Sequence, residues 1–163
     1  MKSLLLTVLV LLVPGIIQAS DFPEADLVVI EKDARKLHLL QRGEIFRTFE
    51  IALGIRPVGD KKREGDFKTP EGRYILDRRN PDSDFFLSIH ISYPNSQDRR
   101  ESAALGVEPG GAIMIHGQPN VPTRSEAYYR TRDWTNGCIA VSNSDMIDIW
   151  LMTGENTPIE IRP

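Results

Sequence analysis

The apolar residues of this chain come in short runs, and the breaks between the runs constrain the fold more than anything else. Leu27-Val28-Val29-Ile30, Lys36 to Leu40, Ile45 to Leu53, Arg73 to Asp77, Phe85 to Ile91, Ala112 to Ile115, Ile139 to Val141 and Thr157 to Ile161 are strand-length. They are rich in branched or aromatic side chains and bounded by Gly, Pro, Asp and Asn. The first three read as an antiparallel meander, with turns at Glu31–Arg35 and Gln41–Glu44. Alternation predicts Ile45, Phe49 and Ile51 as the inward residues of the third strand. In Phe85–Ile91 it predicts Phe85, Leu87, Ile89 and Ile91 as the core face, with Phe86, Ser88 and His90 facing something wetter, such as a cleft.

Helical signals are few. Met146, Ile149 and Trp150 recur at i, i+3, i+4, Ser142 is placed to cap that helix, and Thr153-Gly154 is placed to stop it. Asp98 to Leu105 predicts one further short helix. Strands do not alternate with helices, and no internal repeat is visible, so the expected class is mainly β. Two long polar segments remain, Gly54 to Gly72 and Gln118 to Arg132. Long ordered loops in small domains border sites, and the second reads as a loop or lid.

The 163 residues suit one domain, and 40% apolar with 26% charged residues excludes a disordered chain. A net charge of −3 selects no class of partner, and no basic run interleaved with aromatics supports nucleic-acid binding. The start of the chain differs from the rest. Lys2 precedes an apolar run from Leu4 to Val13, Pro14-Gly15 breaks it, and Gln18-Ala19-Ser20 offers small residues for cleavage. This is the build of a secretory leader, predicted as 1–19 with the domain at 20–163. Export to the periplasm follows, with no membrane span after cleavage; a retained anchor is the alternative.

An exported protein with a single cysteine is unusual. Cys138 has no partner within the chain for a disulfide. On the residues alone it is an inert buried thiol, half of an intermolecular disulfide, or a nucleophile. Gly137 before it permits a tight turn and close approach of a substrate, and successive N–H groups in such a turn can hold an oxyanion. A thiol needs a base to become reactive at neutral pH. Among the histidines, His38 reads as a surface ring and His90 as a residue of the polar strand face. His116 ends an apolar strand before Gly117 and a long loop, the position from which a ring projects into a cleft. A zinc site is disfavoured because neither Cys-x-x-Cys nor His-Glu-x-x-His occurs, and a serine hydrolase because Gly-x-Ser-x-Gly does not.

His116-Gly117, a loop, then Thr135-Asn136-Gly137-Cys138-Ile139, then a capped helix and a last strand together resemble the L,D-transpeptidase (YkuD-like) catalytic domain. Lys68-Thr69-Pro70-Glu71-Gly72-Arg73-Tyr74 resembles that family's Thr-Pro-x-Gly-x-Phe/Tyr element, and Leu53-Gly54 its early glycine. The resemblance runs from Leu27 to Ile161. It implies a β-sandwich with one or two short helices and neither metal nor organic cofactor. It implies Cys138 as nucleophile and His116 as base, an oxyanion site at the backbone of Gly137 and Asn136, and His90, Gly117, Thr135 and Trp134 as residues near the substrate. The implied partners are peptidoglycan stem peptides, and the implied roles are cell-wall organisation and cell shape. The sequence departs from the family at Ala140, where an Arg is usual, and at Asn136, often His. Ala140 leaves transfer and hydrolysis both open, as transpeptidase or as carboxypeptidase/amidase. A non-catalytic wall-binding domain is the alternative from another class.

Overall fold

The computed structural model describes residues 22–163; the predicted leader and its cut site lie outside the described residues. The strands are β1 (Leu27–Glu31), β2 (Lys36–Gln41), β3 (Glu44–Glu50), β4 (Gly72–Ser83), β5 (Phe86–Ile91), β6 (Met114–His116), β7 (Ile139–Ala140) and β8 (Thr157–Arg162). The helices are α1 (Ser96–Ala104), α2 (Glu126–Thr131) and α3 (Asn143–Met152). The fold is mainly β. Three helices stand where one or two were expected, because α2 forms within the segment read as a loop or lid.

Strict alternation explains β2. Leu37 and Leu39 point inward and are fully buried, while His38 between them is half-buried beside Thr48. β1 buries Val28, Val29 and Ile30 in succession, as a strand covered on both faces does. Each of Val28, Ile30, Leu37 and Leu39 contributes about 1.5–3 kcal/mol by leaving water. The meander is present, with β1 pairing β2 and β2 pairing β3, all antiparallel.

Ile45 is not inward; it is 56% exposed. The register of β2 against β3 shifts between Leu39 and Leu40, whose partners are Arg47 and Ile45. Phe46 is therefore the extra residue of a bulge and packs on the core in place of Ile45. Phe49 and Ile51 are buried as alternation requires.

The strand order is β3-β2-β1-β8-β4-β5-β6-β7, with β1–β8 and β6–β7 parallel. The chain after β3 then meets the far edge: Ala52 and Ala140 exchange both backbone hydrogen bonds at 2.8 Å. One curled sheet is thus fastened to its own far edge strand, β7, with the core between its halves. That closure brings the segments around Gly54, Thr135 and Cys138 to one place.

α3 begins where Ser142 Oγ accepts the Asp145 N–H at 3.1 Å, and it buries Met146, Ile149 and Met152 against β5. α1 has a full capping box. Asn95 accepts from the Gln97 and Asp98 N–H groups, and Asp98 accepts from the Asn95 N–H. No helix among the described residues is long and apolar enough to cross a membrane.

Candidate active site

β6 is three residues long and delivers His116 at its end, buried, opposite Ser88 of β5. β7 runs parallel to β6 with Ala140 beside His116, so Cys138, two residues earlier, stands level with Met114 on the same face as His116. Both side chains line one cleft of about 680 Å³. Its floor and walls come from Ala112 to Met114, from Trp134 to Asn136, from Phe85, and from Lys61 to Phe67 of the Gly54–Gly72 loop.

The turn carrying the thiol is strutted from within. Thr135 is buried; its Oγ1 accepts the Gly137 N–H at 3.1 Å and donates to the Cys138 carbonyl at 2.7 Å. Gly137 has φ of 134°, and a β-carbon on it would lie 2.6 Å from the Lys68 carbonyl oxygen. Both its backbone angle and this close approach require glycine. The Gly137 N–H is committed to Thr135, so it is not a free oxyanion donor here. The Cys138 N–H donates to no acceptor among the described residues.

The thiol of Cys138 is half-buried, with Sγ 3.5 Å from the Ala112 carbonyl. Burial pushes its pKa up, while the Met114 N–H and the Lys61 charge pull it partly back. His116 is buried, and burial lowers its pKa to about 4 against the pull of its hydrogen bond to Gly117. Its Nδ1 lies 2.7 Å from the Gly117 carbonyl, which only accepts, so Nδ1 carries the proton and Nε2 the free lone pair. At neutral pH the pair therefore rests as neutral imidazole and thiol, without a hydrogen bond between them, and the ion pair is disfavoured. Catalytic hydrogen bonds are often completed only on binding.

Aromatic rings surround the imidazole. Phe85 lies 4.6 Å from it between centroids and Trp134 5.6 Å, edge-on, while Tyr129 of α2 backs Trp134 at 5.0 Å. These rings exclude water from His116 and produce its low pKa.

Of the residues predicted for the site, Cys138, His116, Thr135, Asn136 and Trp134 are brought together at the cleft, with Gly137 beneath. Gly117 acts through its backbone, holding the His116 ring and donating to the Phe85 and Leu87 carbonyls at 3.0 and 3.2 Å. His90 is not brought to the cleft. Its Nδ1 lies 2.6 Å from Asp77 on the neighbouring strand, and it stands opposite Met114. The predicted wet face of this strand is also absent. Ser88 is buried, and Phe86, with φ of 68°, breaks the alternation and releases Phe85 into the cleft. Phe85, Lys61 and Ala112 are among the cleft residues that the sequence pattern did not single out. Only the length of the Gly54–Gly72 loop hinted at Lys61.

The YkuD L,D-transpeptidase catalytic domain family matches residues 25–161 of this chain. YafK, an inferred L,D-transpeptidase of Escherichia coli (strain K12), is 38% identical over 96 residues, covering 55% of this chain and 37% of YafK. The helical cell shape determining protein Pgp2 of Campylobacter jejuni superposes with a TM-score of 0.63 at 30% identity, covering 83% of this chain and 46% of that one. An L,D-transpeptidase of Xylanimonas cellulosilytica has a TM-score of 0.57 at 17% identity, over 86% of this chain and 62% of that one, and shares the fold. The chain spans less than half the length of YafK and of Pgp2.

Proposed function

The chain belongs to the L,D-transpeptidase catalytic domain family, and on that premise we propose that it cuts and rejoins peptidoglycan stem peptides through a thioester on Cys138. The observation that carries this reading is the shared cleft: a half-buried thiol and a buried neutral imidazole open onto one cavity, on a turn held by Thr135.

The chemistry begins from neutral partners. Sγ of Cys138 attacks the carbonyl carbon of the L,D-bond that follows the diamino acid of the stem, and its proton passes to Nε2 of His116. The carbonyl oxygen becomes an oxyanion, and the unpaired Cys138 N–H is a backbone donor of the turn free to receive it, worth roughly 3–4 kcal/mol by analogy with other acyl-transfer sites. The imidazolium then protonates the leaving amine, and the thioester remains. An incoming amine resolves it to a cross-link, or water to a shortened stem. Its low pKa makes the imidazolium a short-lived acid that gives up its proton readily. On this reading the reaction belongs outside the cytoplasm, in the periplasm, where a chain with the predicted leader would be sent.

Hydrolysis is the second reading, favoured by one observation. Where the family has Arg, Ala140 is buried and paired with Ala52, and it offers no cation beside the thioester. Mass spectrometry separates the readings. A tetrapeptide stem should add an acyl group to Cys138 in the parent and none in Cys138→Ala. Dimeric products with an acceptor stem indicate transfer, and shortened stems alone indicate hydrolysis. No adduct and no product would leave the chain as a wall-binding domain.

A further inference from the structure

The turn between β1 and β2, residues 32–35, lies outside the cleft, yet it carries two cations directed at the segments that build the nucleophile turn. Lys32 is 2% exposed. Its Nζ donates to the Gly59 carbonyl at 2.9 Å, the Thr69 carbonyl at 3.0 Å and Glu71 Oε1 at 2.7 Å. All its protons are used, and all on one loop. That loop runs on through Lys68, whose carbonyl is the oxygen packed under Gly137, and through Thr69, whose Oγ1 accepts the Gly54 N–H at 3.2 Å. Three residues on, Arg35 adopts φ of 54° and turns its guanidinium onto Asp133. Nε reaches Oδ1 and Oδ2 at 3.2 and 3.1 Å, and Nη2 reaches Oδ2 at 2.8 Å. Asp133 also accepts the Leu53 N–H at 2.9 Å. From Asp133 the chain goes directly to Trp134, Thr135 and the thiol. Arg35 Nη1 closes the device by donating to the Lys32 carbonyl.

We propose that this turn is a positioning clamp for the nucleophile: Lys32 fixes the loop beneath Gly137, and Arg35 fixes Asp133 at the head of the segment that carries Cys138. The clamp rests on the reading of Cys138 as the nucleophile. A fully buried ammonium is a poor way to gain stability, since an apolar side chain of similar volume usually does as well. It is a good way to hold two backbone carbonyls at fixed positions, because each proton is directional. The bidentate geometry of Arg35 likewise fixes an orientation that a lysine, a point charge, cannot reproduce. Misplacing a reacting group by about 1 Å costs up to about a hundredfold in rate. Lys32 and Arg35 touch neither cleft nor substrate and act only through the segments they hold.

The test uses Arg35→Ala, Arg35→Lys, Asp133→Asn and the paired Lys32→Met/Glu71→Gln, which removes the buried ammonium together with its carboxylate partner. Three quantities are read: the rate of Cys138 alkylation by iodoacetamide across pH, kcat and KM on stem tetrapeptide, and the folded fraction by circular dichroism. Arg35→Ala and the paired variant should lose about tenfold or more in alkylation rate and in kcat while staying folded, with KM little changed. Arg35→Lys should recover only part of the loss. Rates within about twofold of the parent, or losses that merely track the unfolded fraction, overturn the clamp. If the paired variant does not fold, hydrogen exchange of 133–138 in Arg35→Ala and Asp133→Asn decides. Faster exchange there supports the clamp, and unchanged exchange overturns it. A parent without turnover whose alkylation still depends on Arg35 sinks the enzymatic reading and leaves the clamp standing.

Discussion

The imidazole of His116 gives its Nδ1 proton to the carbonyl of Gly117, its own neighbour in sequence, at 2.7 Å. That bond fixes the tautomer and turns the unprotonated nitrogen away from the backbone, so Nε2 has a free lone pair for the proposed role of base before any substrate arrives. Two ring neighbours, Phe85 and Trp134, keep water from it.

Burial lowers the His116 pKa from 6.5 to about 4, and stability must follow. Between those values the unfolded chain takes up a proton that the folded chain refuses. Stability therefore falls as pH drops from 6.5 towards 4, by about 3 kcal/mol from this group, and levels off below. Urea titrations of the parent and of His116→Phe at both ends of the window should show that slope in the parent and not in the variant. Trp134→Ala should admit water and raise the His116 pKa towards its ordinary value, measured by NMR of the ring protons.

Cys138 should behave as a thiol rather than as half of an ion pair. Burial holds its pKa above the ordinary thiol value, so in the substrate-free protein the alkylation rate should climb with pH in one step through the alkaline range. A plateau of high reactivity from pH 5 to 8 would mean a resting thiolate–imidazolium pair and contradict the neutral pair described above.

Thr135 is the internal strut of the turn that carries Cys138. Thr135→Val keeps the shape and removes both hydrogen bonds, leaving the Gly137 N–H and the Cys138 carbonyl without their partner. Stability should fall by about 1–3 kcal/mol. kcat should fall by about tenfold or more, because the thiol and its N–H lose their fixed orientation. Thr135→Ser restores the hydroxyl and should recover most of both losses.

Gly137→Ala places a β-carbon 2.6 Å from the Lys68 carbonyl oxygen at φ of 134°. A backbone atom cannot yield as a flexible side chain does. The variant should lose about 3 kcal/mol and most of its activity, and calorimetry together with stem turnover would read both. A folded, active Gly137→Ala protein would show that the turn is looser than its geometry.

Alternation and capping revealed much of the fold. Leu37 and Leu39, the Ser142 cap and Ile149 fell where local rules put them, because strand period and helix ends are local properties. Ile45 and Phe85 did not. A single extra residue at Phe46 and a positive φ at Phe86 each reverse the side to which neighbouring side chains point, and neither leaves a mark in hydrophobicity. α2 carries too few apolar residues to stand out from a polar loop.

The pattern of residues by itself determined that a lone cysteine after a glycine and a histidine before a glycine each stand where an apolar strand meets a polar loop, and that strands dominate. Only the folded chain decided that the two meet at one cleft. The reason is the parallel pairing of β6 with β7 and the fastening of Ala52 to Ala140, contacts between segments far apart in sequence. Long-range closure likewise brought Lys32 and Arg35 of the first hairpin to the loop under Gly137 and to Asp133. It also kept His90 away, on a neighbouring strand beside Asp77.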